Sequence, residues 1–224
     1  MRLNVVLIGP PGSGKGTQAV RLAERYRIPH ISTGDILRAA VRAKSALGEK
    51  VAATLASGGL VSDDLMTDLV RERLAAPDTA RGFILDGFPR TVGQADALER
   101  IVSDAPLIIV LIDVASEEIV RRLSLRRVCA SCGLTQSVAD HGGDVDAPDQ
   151  DPHGDPCPYC GGQLIRREDD NPATVRHRLA TYATFAEPVI AYYRPRQTFG
   201  AVDGLQPLER VTAALRAHID GVGS

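Results

Sequence analysis

Tryptophan is absent from the 224-residue chain, and aromatic residues as a whole make up only 4% of it. Base-stacking platforms for single-stranded nucleic acid are therefore not expected. An excess of one charge is missing too. The chain has 26 Lys and Arg against 28 Asp and Glu, a formal net charge of -2. That leaves no basic field to draw it to nucleic acid or to a membrane surface. No stretch approaches the roughly 20 apolar residues of a membrane span. The opening MRLNVVLIGP lacks the form of a signal peptide, because its short apolar run passes straight into a glycine loop. A cytoplasmic location is the expectation. Cysteine is scarce, at four residues, and in that compartment these read as thiolates rather than disulfides.

What is present suits one α/β domain with small inserts. Hydrophobic residues reach 44% and charged ones 24%, ordinary for a globular chain. Leu3 to Ile8 is a short apolar run ending in Gly and Pro, which predicts a buried parallel strand. A helix follows, with Ala19, Leu22, Ala23 and Tyr26 on one face. Further strands are expected at Phe83 to Asp86, Leu107 to Asp113 and Thr198 to Asp203, and a helix from Ser116 to Arg127. The alternation predicts a parallel sheet covered by helices on both faces. Residues 32–62 look helical and strandless, and 128–165 hold all four cysteines. These read as two inserts in a core built from 1–31, 63–127 and 166–224.

Gly9-Pro10-Pro11-Gly12-Ser13-Gly14-Lys15-Gly16-Thr17 lies between the first strand and the first helix. Glycines there turn backbone N–H groups inward, and the helix adds its positive end, which suits a phosphate. Lys15 can reach the β- and γ-phosphates, and the Thr17 hydroxyl the metal or phosphates. Gly16, between Lys15 and Thr17, departs from the general pattern. In this form the loop resembles the adenylate kinase family and its nucleoside monophosphate kinase relatives. The resemblance implies a helical monophosphate-binding insert, a lid insert, and reversible transfer from Mg-ATP to AMP giving two ADP. Gly12, Ser13, Gly14, Lys15, Gly16 and Thr17 would bind ATP with Mg²⁺. UMP, CMP or GMP as acceptor is the alternative.

The segment Ile31-Ser32-Thr33-Gly34-Asp35-Ile36-Leu37-Arg38 opens the first insert. Ser32 or Thr33 suits a helix cap, with Asp35 in the first turn. Arg38 can hold a monophosphate bidentately. By resemblance Thr33, Gly34 and Arg38 belong to the AMP site, and Thr33 favours AMP, since UMP and CMP relatives tend to carry alanine there. Gly59, Leu60 and Val61 resemble the wall around the adenine. Asp86 would leave the sheet at its carboxyl edge, placed to hold Mg²⁺ through water. The run Asp86-Gly87-Phe88-Pro89-Arg90 is distinctive of the family, with Arg90 on the AMP phosphate and Gln94 reading the adenine.

Arg122 and Arg126, four apart, are expected to share a helix face. Arg167-Glu168-Asp169-Asp170 and Arg178-Leu179 match a family pattern. The resemblance makes Lys15, Arg122, Arg126, Arg167 and Arg178 the cations around the phosphates, and Asp169 and Asp170 read as orienting arginines. Gln206 falls at a family position on the ATP base, and Thr135 and Gln136 stand where the family often has Tyr-His.

Cys129-Ala130-Ser131-Cys132 and Cys157-Pro158-Tyr159-Cys160 are matching knuckles, each followed by glycine. Two such turns complete a tetrahedral thiolate site, with zinc favoured, iron possible and a redox pair the alternative. Zinc-bearing lids occur in a bacterial-type branch of the family. His141, His153 and Asp155 are nearby spare ligands, read here as solvated. The expected partners are ATP, AMP and ADP, with no nucleic acid or membrane. The expected role is in nucleotide biosynthesis, and a monomer is the default.

Overall fold

The computed structural model describes residues 2–103, 105–137 and 156–222. The acidic stretch from Ala139 to Asp155, with His141 and His153, lies outside them. In chain order the elements are β1 (Leu3–Ile8), α1 (Lys15–Tyr26), β2 (His30–Ser32), α2 (Thr33–Arg42), α3 (Ala46–Ser57), α4 (Asp63–Leu74), β3 (Gly82–Asp86), α5 (Val92–Ile101), β4 (Leu107–Asp113), α6 (Ser116–Ser124), β5 (Arg126–Cys129), β6 (Thr135–Ser137), β7 (Leu164–Ile165), α7 (Pro172–Tyr193), β8 (Phe199–Asp203) and α8 (Leu208–Val222).

Five strands form a parallel sheet in the order β2-β3-β1-β4-β8. Strand residues alternate between faces, and the register carries that alternation across the sheet. Val5 pairs with Ile84 and Ile108, and Val6 with Leu85 and Ile109. Val5, Ile84 and Ile108 share a core with α1, α6 and α8, through Leu22, Ile119, Leu123 and Leu215. Val6, Leu85 and Ile109 pack on the opposite face against α4, α5 and α7, through Val70, Leu98, Val189 and Tyr193. Each fully buried aliphatic side chain is worth about 1.5–3 kcal/mol, so the two faces hold the sheet rigid. Helices on both faces explain why the strands read as unbroken apolar runs.

Two expectations needed correction. The strand β2 was not foreseen. It is three residues long with Ile31 alone buried, and it exists because its backbone pairs with β3. The helix expected to reach Arg127 stops at Ser124. Residues 126–129 instead pair antiparallel with β6 and β7 in a small second sheet, order β6-β5-β7. Arg122 and Arg126 therefore do not share a helix face. Non-local pairing overrode a local pattern that suited a helix.

In the first insert, α2 begins with the Ser32 hydroxyl accepting from the Asp35 N–H at 3.2 Å, and Asp35 lies in the first turn. Ser45 caps α3 in the same way through the Gly48 N–H at 3.1 Å. Among the described residues no helix is long and apolar enough to cross a membrane.

Candidate active site

The carboxyl edge of β1 and the start of α1 form the phosphate loop. Gly14 takes the N-cap position at φ 95°, a left-handed conformation open to glycine. No side chain caps this helix, and its first-turn amides have no acceptor within the helix. The Lys15 ammonium donates back to the Gly9 and Pro10 carbonyls, both at 2.8 Å. Burial pulls its pKa down to about 8, against the pull of Asp86; Arg90, Arg178 and Arg126 push it the same way as burial. The lysine thus sits among cations with one carboxylate beside it. Asp86 ends β3, and its Oδ2 lies 3.7 Å from where a Cβ on Gly16 would stand. The same oxygen is 4.0 Å from His30 Nε2.

A cleft opens next to the loop. It is lined by Thr33, Gly34, Arg38, Gly59, Leu60, Val61, Arg90, Gln94 and Arg178, all singled out from the sequence. Asp169, expected to orient arginines, lines it too, and Leu37, Leu55, Gly58 and Met66 line it as well and were missed. The types of those four carry no chemistry that sequence reasoning could single out. Gly87 sits at the back of the cleft, where a Cβ would meet the Thr33 hydroxyl oxygen at 2.7 Å. Its carbonyl accepts from Arg90 Nε at 2.9 Å. Phe88 is buried in the core, and Gly87, Phe88 and Pro89 carry the chain from Asp86 at the end of β3 to Arg90 in the cleft.

Carboxylates hold the arginines in place. Arg38 donates to Asp35 at 2.6 Å and lies 3.8 Å from Asp169. Arg178 donates to the carboxylates of Asp169 at 3.1 Å and Asp170 at 3.3 Å. Arg126 grips both oxygens of Asp170, the Nε contact at 2.6 Å. Arg167 donates to the Thr135 hydroxyl at 3.3 Å and lies 3.8 Å from Asp35. Burial, reinforced by Arg38 and Arg126, pulls Arg167 down to about 10. Burial alone would raise Asp35 and Asp169, yet Arg38 and Arg178 hold them below the usual carboxylate range. The role expected of Asp169 and Asp170, orienting arginines, is what the contacts describe. Crowded guanidiniums with lowered pKa values amount to a site short of anions.

Arg122 is engaged elsewhere. It donates to Glu118 at 2.7 Å and to the Gly204 carbonyl at 2.9 Å. That carbonyl belongs to the turn after β8, where Gln206 donates to Asp203 at 2.8 Å. Gln136 lies in β6, its backbone paired with Arg127.

Beside the small sheet, to which Cys129 belongs, the four cysteine sulfurs lie within 4.8 Å of one another. Cys129 and Cys160 sulfurs are 3.4 Å apart, and those of Cys132 and Cys157 3.7 Å. Bonds of about 2.3 Å to a tetrahedral ion imply edges of about 3.8 Å, so the set fits a metal. Each knuckle closes on its glycine: the Gly133 N–H donates to the Cys129 carbonyl at 3.0 Å, and the Gly161 N–H to the Cys157 carbonyl at 2.8 Å. Cys129, Cys157 and Leu164 form the only buried apolar cluster of this region among the described residues, while Leu134, Tyr159 and Ile165 are exposed.

Comparison with known proteins bears on this arrangement. A family model described as adenylate kinase matches residues 7–198. The chain is 45% identical to an adenylate kinase of Kosmotoga olearia, over 98% of this chain and 100% of that protein. It is 43% identical to an adenylate kinase of Methanocella arvoryzae, over 97% of this chain and 98% of that one. An adenylate kinase of Trichlorobacter lovleyi is 46% identical over 95% and 99%.

Proposed function

The chain belongs to the adenylate kinase family, and we propose that the basic cleft beside the phosphate loop is where it transfers a phosphoryl group from Mg-ATP to AMP. The activity is that of an ATP:AMP phosphotransferase, with ATP and AMP as substrates and ADP as product. The assignment of roles rests on one observation: Arg38, Arg90 and Arg178 line one cleft together with Thr33 and Gln94, and Arg178 shares the Asp170 carboxylate with Arg126.

An oxygen of the AMP phosphate attacks the γ-phosphorus of ATP, and the bond to the bridging oxygen of ADP breaks. Little covalent chemistry falls to the protein, so its work is positioning and charge stabilisation. Gly12 to Thr17 cradle the ATP phosphates with backbone N–H groups. Lys15 leaves the carbonyls of Gly9 and Pro10 for the phosphates. Arg38 and Arg90 hold the AMP phosphate, with Thr33, Gly59, Leu60, Val61 and Gln94 around its base. Arg126, Arg167 and Arg178 stabilise the group in transfer, each exchanging part of a carboxylate contact for phosphate oxygens. Arg122 and the Gln206 turn flank the ATP base, and Thr135 and Gln136 approach it from the lid. Asp86 would hold Mg²⁺ through water, where the ion supplies neutralising charge on the phosphates.

Residues 32–62 and 128–165 act as inserts that close over the substrates and expel water. Cys129, Cys132, Cys157 and Cys160 would hold zinc, which would supply structural cross-linking of the lid rather than catalysis, since four thiolates fill a structural site. A cytoplasmic monomer acting on free nucleotides completes the reading. Diphosphate formation from AMP, GMP, CMP and UMP with Mg-ATP tests it: AMP should give the highest kcat/KM. Lys15→Ala should fold and nearly lose turnover, since such charge stabilisation is worth about 3–4 kcal/mol. Near-wild-type kcat in that variant would remove the lysine from the mechanism.

A further inference from the structure

Gln94 lines the cleft with its amide held at both ends. Its Oε1 accepts from the Arg90 backbone N–H at 2.8 Å, and its Nε2 donates to Asp63 Oδ1 at 2.8 Å. The second oxygen of Asp63 accepts from the Thr91 hydroxyl at 2.6 Å, and Thr91 Oγ1 accepts from the Gln94 backbone N–H at 3.1 Å. Asp63 opens α4 and Thr91 caps α5, so one carboxylate ties two helix ends to the amide between them. Service to the α4 dipole alone does not account for this, because Asp64 stands in the same first turn.

The polarity of the partners decides the amide orientation. A carboxylate only accepts and a backbone N–H only donates. Turning the Gln94 amide by half a revolution would set its oxygen against Asp63 and its NH₂ against the Arg90 N–H, two repulsive contacts at once. The observed orientation leaves one N–H of Nε2 and one lone pair of Oε1 for a ligand. Adenine offers the matching pair, an exocyclic donor beside an accepting ring nitrogen. A 6-oxo purine offers an acceptor where adenine has its donor, and would need the amide turned.

We propose that Asp63 is a specificity-positioning residue, which fixes the Gln94 amide and thereby the preference for 6-amino over 6-oxo purine monophosphates. This rests on the reading of Gln94 as the base-facing amide. The experiment measures kcat/KM for AMP and for inosine monophosphate at saturating Mg-ATP. Asp63→Ala should lower the AMP preference about tenfold, through KM for AMP rather than through kcat, with KM for ATP unchanged. Asp63→Asn, which keeps one accepting oxygen, should lie between Asp63→Ala and wild type. Asp64→Ala should keep the wild-type preference. Thr91→Val removes one anchor of the carboxylate and should lose preference in the same direction, which covers the case of Asp63→Ala failing to fold. Gln94→Leu separates the two readings. If it loses the preference while folded Asp63→Ala or Thr91→Val keeps it, Asp63 has no positioning role. If Gln94→Leu itself keeps the preference, the base-facing reading fails and the role of Asp63 falls with it.

Discussion

Asp170→Asn is the sharpest test of how the arginines are held. The Asp170 carboxylate is fully buried, accepts two bonds from Arg126 and one from Arg178, and exposes 0% of its side chain against 14% for Arg126. Breaking a buried ion pair by removing one partner costs about 3–5 kcal/mol, because the remaining charge is left without compensation. Arginine here keeps a little solvent, and asparagine keeps one accepting oxygen, so the loss should be near the lower end, about 3 kcal/mol. For a chain of this size each kcal/mol moves the midpoint about 2–4 °C, so the melt should fall by about 6–12 °C. Catalysis should fall as well. A guanidinium displaced by about 1 Å from its aim costs on the order of a hundredfold. Saturating ADP should narrow the melting difference, since its phosphates supply the anion that Asp170 no longer provides. A thermal melt with and without ADP, beside initial rates on the same preparation, reads all three. An unchanged melting temperature together with wild-type kcat would refute the argument, showing that the pair neither stabilises the fold nor aims the arginine.

Three further outcomes are expected. Arg90→Lys should raise KM for AMP far more than it weakens ATP binding, because lysine keeps the charge but loses the bidentate fork; titration with each nucleotide alone checks it, and equal losses would contradict the acceptor-side role. Lys15, pulled down to about 8 by burial in the ligand-free site, should regain a proton when phosphates arrive. Near pH 8.5, ATP binding should therefore take up protons and weaken as pH rises through 8, while the ligand-free fold gains stability with rising pH, since the unfolded lysine binds more protons there. Calorimetry in buffers of different ionisation enthalpy measures the uptake, and its absence would contradict the assignment. Cys129→Ser with Cys132→Ser should lose the metal and melt earlier yet keep activity in the cold, because the Lys15, Arg38 and Arg90 side chains lie outside the cysteine region. Metal content by mass spectrometry, a melt and a cold assay decide it; unchanged stability with no activity would make the cysteines catalytic.

Local patterns in the sequence were enough for the glycine loop from Gly9 to Thr17, the runs at β1, β3 and β4, the capping of α2 by Ser32 and the two cysteine knuckles. In each the physical requirement spans a few neighbouring residues, such as a turn that needs glycine or a strand buried on both faces. Arg38, which lines the cleft, was legible because capping the helix gave it no use, whereas Thr33, itself a capping candidate, and Arg90 were picked out by the family resemblance.

Tertiary structure decided the rest, because it rests on partners distant in sequence. β2 and β5 are strands only through pairing, with β3 in one case and with β6 and β7 in the other. Pairing across the chain placed Arg126 on Asp170 and Arg122 on the Gly204 carbonyl. The apolar lining at Leu37, Leu55 and Met66 belongs to three different helices and has no local signature. Asp63 reads in sequence as one more acid at a helix start. Only the approach of α4 to α5 turns it toward Gln94, since a hydrogen bond across 31 positions of chain depends on how two helices pack and not on either one alone.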